Sequence, residues 1–582
     1  MIRSDLKKIR NLLDESVKYI VPKYQRNFTW KKDHAEEFFD DVSQGSVFLG
    51  NIVLDTHNEG GGEIGIVDGQ QRITTIFIFL AACRHHAQKI NSESQSQEIQ
   101  RKISFIDDTS GRASSSKLVP SPSIMEVFSK TIANPTWDGK TFDIKSKKRE
   151  ASKIRPIYDF FVQKLSKLDK DDLSNLLKAV YESTFIRIEV QDTKEAFEIF
   201  ERTNARGMEL NAADLLKNYL FSSSNSESLS EDWDSIVQNS QGNILRLIKY
   251  YYISIFGLIR KSELFKSTKR YGESIGPDKL LTQLKNFSYY YDLITSGDLE
   301  DIKEWAHETK NDFFRKEYNA NELHRCFEAM RLFGVSQSYP LLVKIFIVVE
   351  SIRNSEKKNK VSEKFMIFLK TIEKFHFLNY AICQRPGNQI ESYYAEKCEY
   401  DANQNNVADF MKSIEKEIVK GKLVGQAEFS EKFSELTYGT DSVLIYYIYD
   451  RLNNMNRKGG QYISIYNPDK KLLRKNYDID HLVSQDSSNY DFDEDQIADF
   501  VDNIGNLLVI SKHTNGSMQN KKITDKIPLI KQLEAQNLPE ADILSKEWSK
   551  SEWDKTEDVI ENINARALNL SKRAYNVCWK IQ

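Results

Sequence analysis

Paired cysteines are missing from this sequence. Its five cysteines, Cys83, Cys326, Cys383, Cys398 and Cys578, are scattered, odd in number and never form a CxxC pair. That argues against a cysteine zinc site or a disulfide framework, and fits a reducing compartment. Long apolar runs are missing too: no uncharged stretch reaches the roughly 18 residues that a membrane span needs. The first residues, Met1-Ile2-Arg3-Ser4-Asp5-Leu6-Lys7-Lys8, lack the apolar core of a signal peptide. The expectation is a cytoplasmic protein with no membrane contact. A surplus of positive charge is the third absence. A net charge of -3 argues against a broadly basic nucleic-acid coat and leaves room for a local basic groove.

Apolar residues, in contrast, are plentiful. The chain has 582 residues, 40% of them hydrophobic and 29% charged, enough for real cores. Two to four domains are expected, at roughly 100–200 residues each. The most informative stretch is Ile66-Val67-Asp68-Gly69-Gln70-Gln71-Arg72-Ile73-Thr74-Thr75. An apolar segment (Gly50 to Asp55) and a polar, glycine-rich turn (Asn58 to Gly62) precede it. Ile76-Phe77-Ile78-Phe79-Leu80-Ala81-Ala82 follows and reads as a buried helix. Asp68 to Arg72 are therefore expected where a strand ends and a helix begins. Unpaired N–H groups at a helix start carry partial positive charge and suit a phosphate. Gly69 lets the backbone approach closely, Arg72 can fork onto phosphate oxygens, and Asp68 could hold a metal or a sugar hydroxyl. A polar turn with an N-capping aspartate fits the same spacing.

Upstream, Pro22 biases Val21 towards an extended conformation. Ala35, Phe38, Phe39 and Val42 are spaced as on an amphipathic helix over Lys31 to Val42. Tyr24, Gln25 and Arg26 then lie on a loop or strand edge feeding that helix. They either recognise a base or phosphate or, with Trp30, anchor the loop in the core. Gln88 to Ser121 is polar and reads as a surface excursion. The cluster Lys145-Ser146-Lys147-Lys148-Arg149 is a solvated face or a DNA-backbone contact. Thr184 to Val190 alternates as a strand does. A helix should run to about Thr203, with Gly207 as its left-handed stop. A second helix starts near Asn211, with Asp214 and Lys217 one turn apart. Asn204 and Arg206 project from the break between the two.

Four blocks in this order, Tyr24-Gln25-Arg26, Phe48-Leu49-Gly50, Val67 to Arg72 and Asn204-Ala205-Arg206-Gly207, resemble the N-terminal domain of GmrSD-type restriction proteins. The resemblance covers roughly Ile9 to Phe221. That family is modification-dependent (type IV). The resemblance implies a ParB/sulfiredoxin-like fold that binds or hydrolyses a nucleoside triphosphate, GTP or ATP, and regulates cleavage. Carried over residue by residue, the nucleotide site comprises Asp68, Gly69, Gln70, Gln71 and Arg72, with Tyr24, Gln25, Arg26, Asn204 and Arg206.

From about Glu231 to Asn456 the sequence is helical and aromatic, with tyrosines read as core in preference to a base-stacking platform. Towards the C-terminus, one strand is expected to carry Asp480 and His481 to its end. A second follows Asn506, and a short helix begins near Ser517. Such a ββα unit can gather Asp480, His481 and Asn515 around one divalent cation. Phosphodiester hydrolysis needs an activated water and charge neutralisation at the phosphate. Neutral His481 would take the proton from water, and Asp480 and Asn515 offer oxygen ligands suited to Mg²⁺ or Mn²⁺. Asn506 would tie the strands and fix the loop behind His481. Lys521, Lys522 and Lys526 would meet flanking phosphates.

The set Asp480-His481, Gly505-Asn506-Leu507, Asn515, Asn520 and Lys526 resembles the HNH (ββα-metal) nucleases, specifically the C-terminal domain partnered with the GmrSD N-terminal domain. Asp480 stands where family members often have Glu, and Asn515 where many HNH enzymes have His. The expected architecture is α+β: a ParB-like sensor domain at 1–225, a helical spacer at 226–456 and an HNH nuclease domain at 457–582. The expected function is a nucleotide-regulated, modification-dependent endonuclease of phage defence. It would cut double-stranded DNA, modified phage DNA in particular, by a one-metal mechanism, as a monomer or homo-oligomer. The alternatives are a nucleotide-dependent sensor or partner-binding protein with a degenerate nuclease unit, and an enzyme acting on RNA.

Overall fold

The computed structural model describes residues 3–22, 25, 28–57, 59–107, 113–137, 139–140, 148–191, 212–224, 228–421, 423–455, 457, 462–467, 476–485, 498 and 500–581. The chain divides into two compact units, Met1–Ser235 with Ser262–Gln283, and Ile236–Lys261 with Leu284–Gln582. It is mostly helical with an α/β sheet region near the N-terminus, which is an α+β architecture. No described helix is long and apolar enough to cross a membrane.

The first unit is built on a six-stranded mixed sheet. Strand β1 (Arg3–Lys8) is at one edge, followed across the sheet by β8 (Thr184–Val190), β3 (Phe48–Asp55), β4 (Glu63–Asp68), β2 (Lys18–Ile20) and β7 (Leu118–Val119). β3 runs parallel to β8 and antiparallel to β4, whereas β4 and β2 are parallel. The alternation of β8 turns Phe185 and Arg187 inward. The buried Arg187 guanidinium is neutralised by Glu15 and Glu189, as a buried charge must be.

The helix Gln70–Lys89 is buried along nearly all of its length, as an all-round apolar helix should be. The helix Lys32–Gln44 lays Ala35, Phe38, Phe39 and Val42 against it, the four positions read from the spacing. Phe79 meets Phe38 at 5.7 Å and Phe161 at 5.2 Å, both edge to face. Each such ring contributes about 1.5–3 kcal/mol through burial.

The polar stretch read as a surface excursion contributes one helical face to the core. It forms the helix Glu93–Ile103, whose Gln95, Ser96, Ile99 and Ile103 are buried. A short hairpin of β5 (Ser104–Ile106) and β6 (Ala113–Ser116) follows, and then β7. Gln95 Nε2 donates to Lys170 O and Ser174 Oγ, so the buried amide nitrogen has both its hydrogen bonds.

In the second unit, helices enclose the antiparallel pair β9 (Tyr477–His481) and β10 (Leu507–Ser511). Leu507 to Ile510 are fully buried in one cluster with Phe377, Phe429, Tyr447, Ile563 and Trp579. The aromatic residues of this unit are mainly core, with Phe256, Tyr289, Tyr318 and Tyr400 exposed. Tyr250 and Tyr251 are buried, and Phe346 packs on Tyr290, Trp305 and Phe365.

Candidate functional sites

At the C-terminal site, Asp480 pairs with Leu508 and His481 with Leu507 across β9 and β10. The short helix after β10 spans Lys512–Met518, with Ser511 as its cap. It begins well before Ser517, so Asn515 lies inside it rather than ahead of it. The reason is local: the Ser511 hydroxyl starts the helix, and Glu534 accepts from both Ser511 and Thr514. The helix packs against β9 and β10.

Asp480 is 6% exposed. Lys526, delivered by the helix Ile523–Leu533, lies 3.0 Å from Asp480 Oδ2 and 3.3 Å from Oδ1, and donates to His481 O at 2.6 Å. Burial pushes the Asp480 carboxyl up to about 6, with Lys526 opposing the shift. Lys526 therefore faces the protein interior and not a flanking phosphate. Lys521 and Lys522 are exposed, and Lys521 Nζ donates to Ser517 O at 2.8 Å.

His481 Nε2 lies 2.8 Å from Asp502 Oδ1. Gln485 Nε2 donates to the same oxygen at 2.9 Å. Tyr438 meets the imidazole edge to face at 4.9 Å, and Tyr438 N donates to Asp502 O. Burial lowers the imidazole pKa, and Asp502 opposes that shift. Asn506 is fully buried. Its Oδ1 accepts from Val483 N at 2.8 Å, and its Nδ2 donates to Val483 O and Val501 O. This fixes the chain immediately after His481. Behind it, Arg566 donates to Gly505 O and Leu507 O, and Tyr449 donates to Leu507 O.

The sequence reading missed Asp502, Tyr438, Arg566 and Tyr449. Only for Asp502 was there a signal, an acid directly before Asn503-Ile504-Gly505-Asn506. Asn515 is half-buried. Among the described residues, no group of three or more His, Cys, Asp or Glu gathers to hold a metal.

At the N-terminal site, β4 ends on Asp68 and the helix starts at Gln70. Gly69 between them has φ 91°. A Cβ there would lie 3.0 Å from Ile52 Cγ1 and 3.5 Å from Asn51 O, so both conformation and space call for glycine. Asp68 Oδ1 accepts from Gly69 N at 2.7 Å. Arg72 donates to Leu49 O, and its Nη2 lies 4.0 Å from Asp68 Oδ2. Gly50 explains the Phe48-Leu49-Gly50 block. A Cβ on it would come within 2.7 Å of Arg72 Nη1.

Gln70 and Gln71 are buried. Gln71 Oε1 accepts from Thr29 N at 2.9 Å and Trp30 N at 3.2 Å, holding the loop before the Lys32–Gln44 helix. Gln25 Nε2 donates to Val67 O at 2.5 Å, and Gln25 O accepts from Lys217 Nζ at 3.3 Å. Asp68, Gly69, Gln70, Gln71, Arg72 and Gln25 thus converge on one strand–helix junction. Tyr24, Arg26, Asn204 and Arg206, the helix expected up to Thr203 and the stop at Gly207 lie outside the described residues.

Residues 9–221 match the family model described as GmrSD restriction endonuclease, N-terminal domain. Residues 424–572 match that of GmrSD restriction endonucleases, C-terminal domain. No curated protein matches the chain significantly. The protein is of the restriction-endonuclease class, which acts on DNA in phage defence. Within that class, the chain belongs to the GmrSD-type restriction endonucleases.

Proposed function

We propose that this chain is a nucleotide-regulated, modification-dependent DNA endonuclease with a one-metal HNH centre at Asp480 and His481. The observation that carries the reading is His481, held at a strand end between Asp502 and Tyr438. In the tautomer that donates Nε2–H to Asp502, Nδ1 keeps its lone pair and takes the proton of the attacking water. Its lowered pKa keeps the ring neutral near pH 7. Asn506 keeps the following backbone in place.

Asp480 and Asn515 have the hard oxygen donors that Mg²⁺ or Mn²⁺ takes. Such an ion, when bound, neutralises charge on the scissile phosphate. Lys521 and Lys522 meet the flanking phosphates of double-stranded DNA. The Asp68–Arg72 junction in a ParB-like N-terminal domain binds and hydrolyses GTP or ATP, and this licenses cutting of modified phage DNA. The free cysteines support a cytoplasmic setting.

One observation favours a second reading, a nucleotide-dependent sensor with a degenerate nuclease unit. Both Asp480 oxygens are engaged by Lys526. The two readings separate in a cleavage assay with Mg²⁺ or Mn²⁺, with and without GTP or ATP, on unmodified plasmid and modified phage DNA. Cutting confined to modified DNA, changed by nucleotide and lost in His481→Ala, supports the proposal. Cutting of every DNA removes modification sensing. DNA-stimulated phosphate release without cutting favours the second reading.

A further inference from the structure

Within the second unit, the helices Glu317–Leu332 and Tyr438–Asn454 line a cavity of about 530 Å³, together with residues on 298–300 and 462–467. The nuclease reading makes no use of it. Its volume is that of a pocket for a small organic molecule, and Tyr447, Tyr462 and Tyr466 give it aromatic walls. Its carboxylates differ in how they are engaged. Asp298 Oδ1 caps the helix Leu299–Glu308, accepting from Glu300 N and Asp301 N. Asp450 Oδ1 accepts from Ile465 N and Tyr466 N, and its Oδ2 accepts from Arg325 and the Tyr462 hydroxyl. Glu300 is exposed and paired with Lys303. Glu328 stands apart from these three. Its side chain is 9% exposed, and its one polar contact among the described residues is His324 Nε2, 3.2 Å from Oε1. No hydrogen bond from a described residue reaches Oε2. Burial lowers the His324 pKa to about 4, so the ring is neutral at pH 7. Burial also pushes Glu328 up to about 7, against the pull of Arg331, Arg451 and Arg325.

A buried carboxyl with one neutral partner is costly, and a Gln in its place would cost less to bury. The oxygen without a partner marks where a ligand's donor belongs. A carboxylate accepts from the exocyclic amino group that cytosine, adenine and guanine carry. Thymine has no amino group, and its ring N–H stands between two carbonyl oxygens that a carboxylate repels. Tyrosine rings suit the faces of a planar base. A base comes joined to a phosphate, and cations stand on the same wall. A neighbouring cavity of about 210 Å³ shares Arg325, Arg451 and Tyr462 and adds Lys370 and Lys374.

We propose that the cavity at Glu328 binds an amino-bearing nucleobase, with the carboxylate accepting from the amino group. The base comes either from a free nucleotide or from DNA, as an unpaired base turned out of its strand. The lining shares no residue with the Asp480–His481 centre or the Asp68–Arg72 junction, so the proposal stands independently of both readings.

The test is binding by the full chain at pH 8, where Glu328 is ionised. Ligand-observed NMR titration with dCMP, dAMP, dGMP and dTMP is run on wild type and Glu328→Gln. Fluorescence anisotropy follows duplex oligonucleotides that are fully paired or carry one bulged cytosine or one bulged thymine. Wild type should bind the amino-bearing nucleotides, or the bulged-cytosine duplex, at least about tenfold tighter than the thymine probe. In Glu328→Gln, whose carboxamide both donates and accepts, that preference should vanish with no fall in Tm. Preference for bulged cytosine over the paired duplex assigns the base to DNA, and preference among mononucleotides alone assigns it to a free nucleotide. Equal binding of thymine and amino-bearing probes by wild type overturns the proposal without recourse to any variant. A preference that survives in Glu328→Gln, or no binding of any probe, overturns it as well.

Discussion

At the N-terminal junction, the side chains of Gln25, Gln71 and Arg72 bond mainly to backbone, at Val67, at Thr29 and Trp30, and at Leu49. At the C-terminal site, side chain meets side chain, Asp480 in an ion pair with Lys526 and His481 hydrogen-bonded to Asp502. The first arrangement ties strand end, loop and helix start together through backbone. The second sets two titratable groups side by side, one in a buried ion pair and the other with its side chain 13% exposed.

Substitutions should separate the two kinds, and the largest effect is expected at the buried pair. Lys526→Met leaves Asp480 buried without its cation, which should cost about 3–5 kcal/mol of stability in urea unfolding. Adding Asp480→Asn should recover part of that loss, since the charge itself is then gone. A neutral Lys526→Met would show that the pair does not hold the site.

Next in size is Asp502→Ala, which frees the His481 ring. It should lower kcat about 10–100-fold, as loss of an orienting partner does, with KM little changed and Asp502→Glu recovering part. A rise in KM alone would place Asp502 in DNA binding instead. At the N-terminal junction, Gly69→Ala forces a side chain into the left-handed region and towards Ile52. A loss of about 1–2 kcal/mol in urea unfolding is expected, and an unchanged stability would contradict the conformational role of Gly69.

The legible parts of the molecule were those whose cause lies within a few residues. Gly69 stands between an apolar strand and an apolar helix, so the junction could be placed from sequence. Asp480 and His481 close a strand whose partner is announced by Asn506. The missed parts are joined only by folding. Asp502 is 21 positions from His481, and Arg566 is 61 from Gly505. Lys526 is 46 from Asp480, and this is why it read as a surface cation. The Glu93–Ile103 helix was hidden differently. Its inward face carries Gln95 and Ser96 beside Ile99 and Ile103, and a polar composition masked a helical period.

The smallest expected effect concerns pH and sharpens the contrast from the N-terminal side. Lys217 falls from an ordinary value of 10.5 to about 8 on folding, with Asp234 and Asp214 opposing. Between those values the unfolded chain holds a proton that the folded chain has released. Stability should therefore rise with pH across that window. The rise should be absent in Lys217→Met, as read by Tm against pH. An identical pH profile in the two proteins would show that Lys217 does not titrate across that window.

The C-terminal pairing as the hydrolytic centre is tested most directly by the rate at which His481→Ala cleaves modified phage DNA with Mg²⁺, beside wild type. The expected result is a loss of at least about a hundredfold, the usual worth of a positioned general base, with an unchanged melting temperature. Cleavage at the wild-type rate would contradict it and move the chemistry elsewhere in the chain.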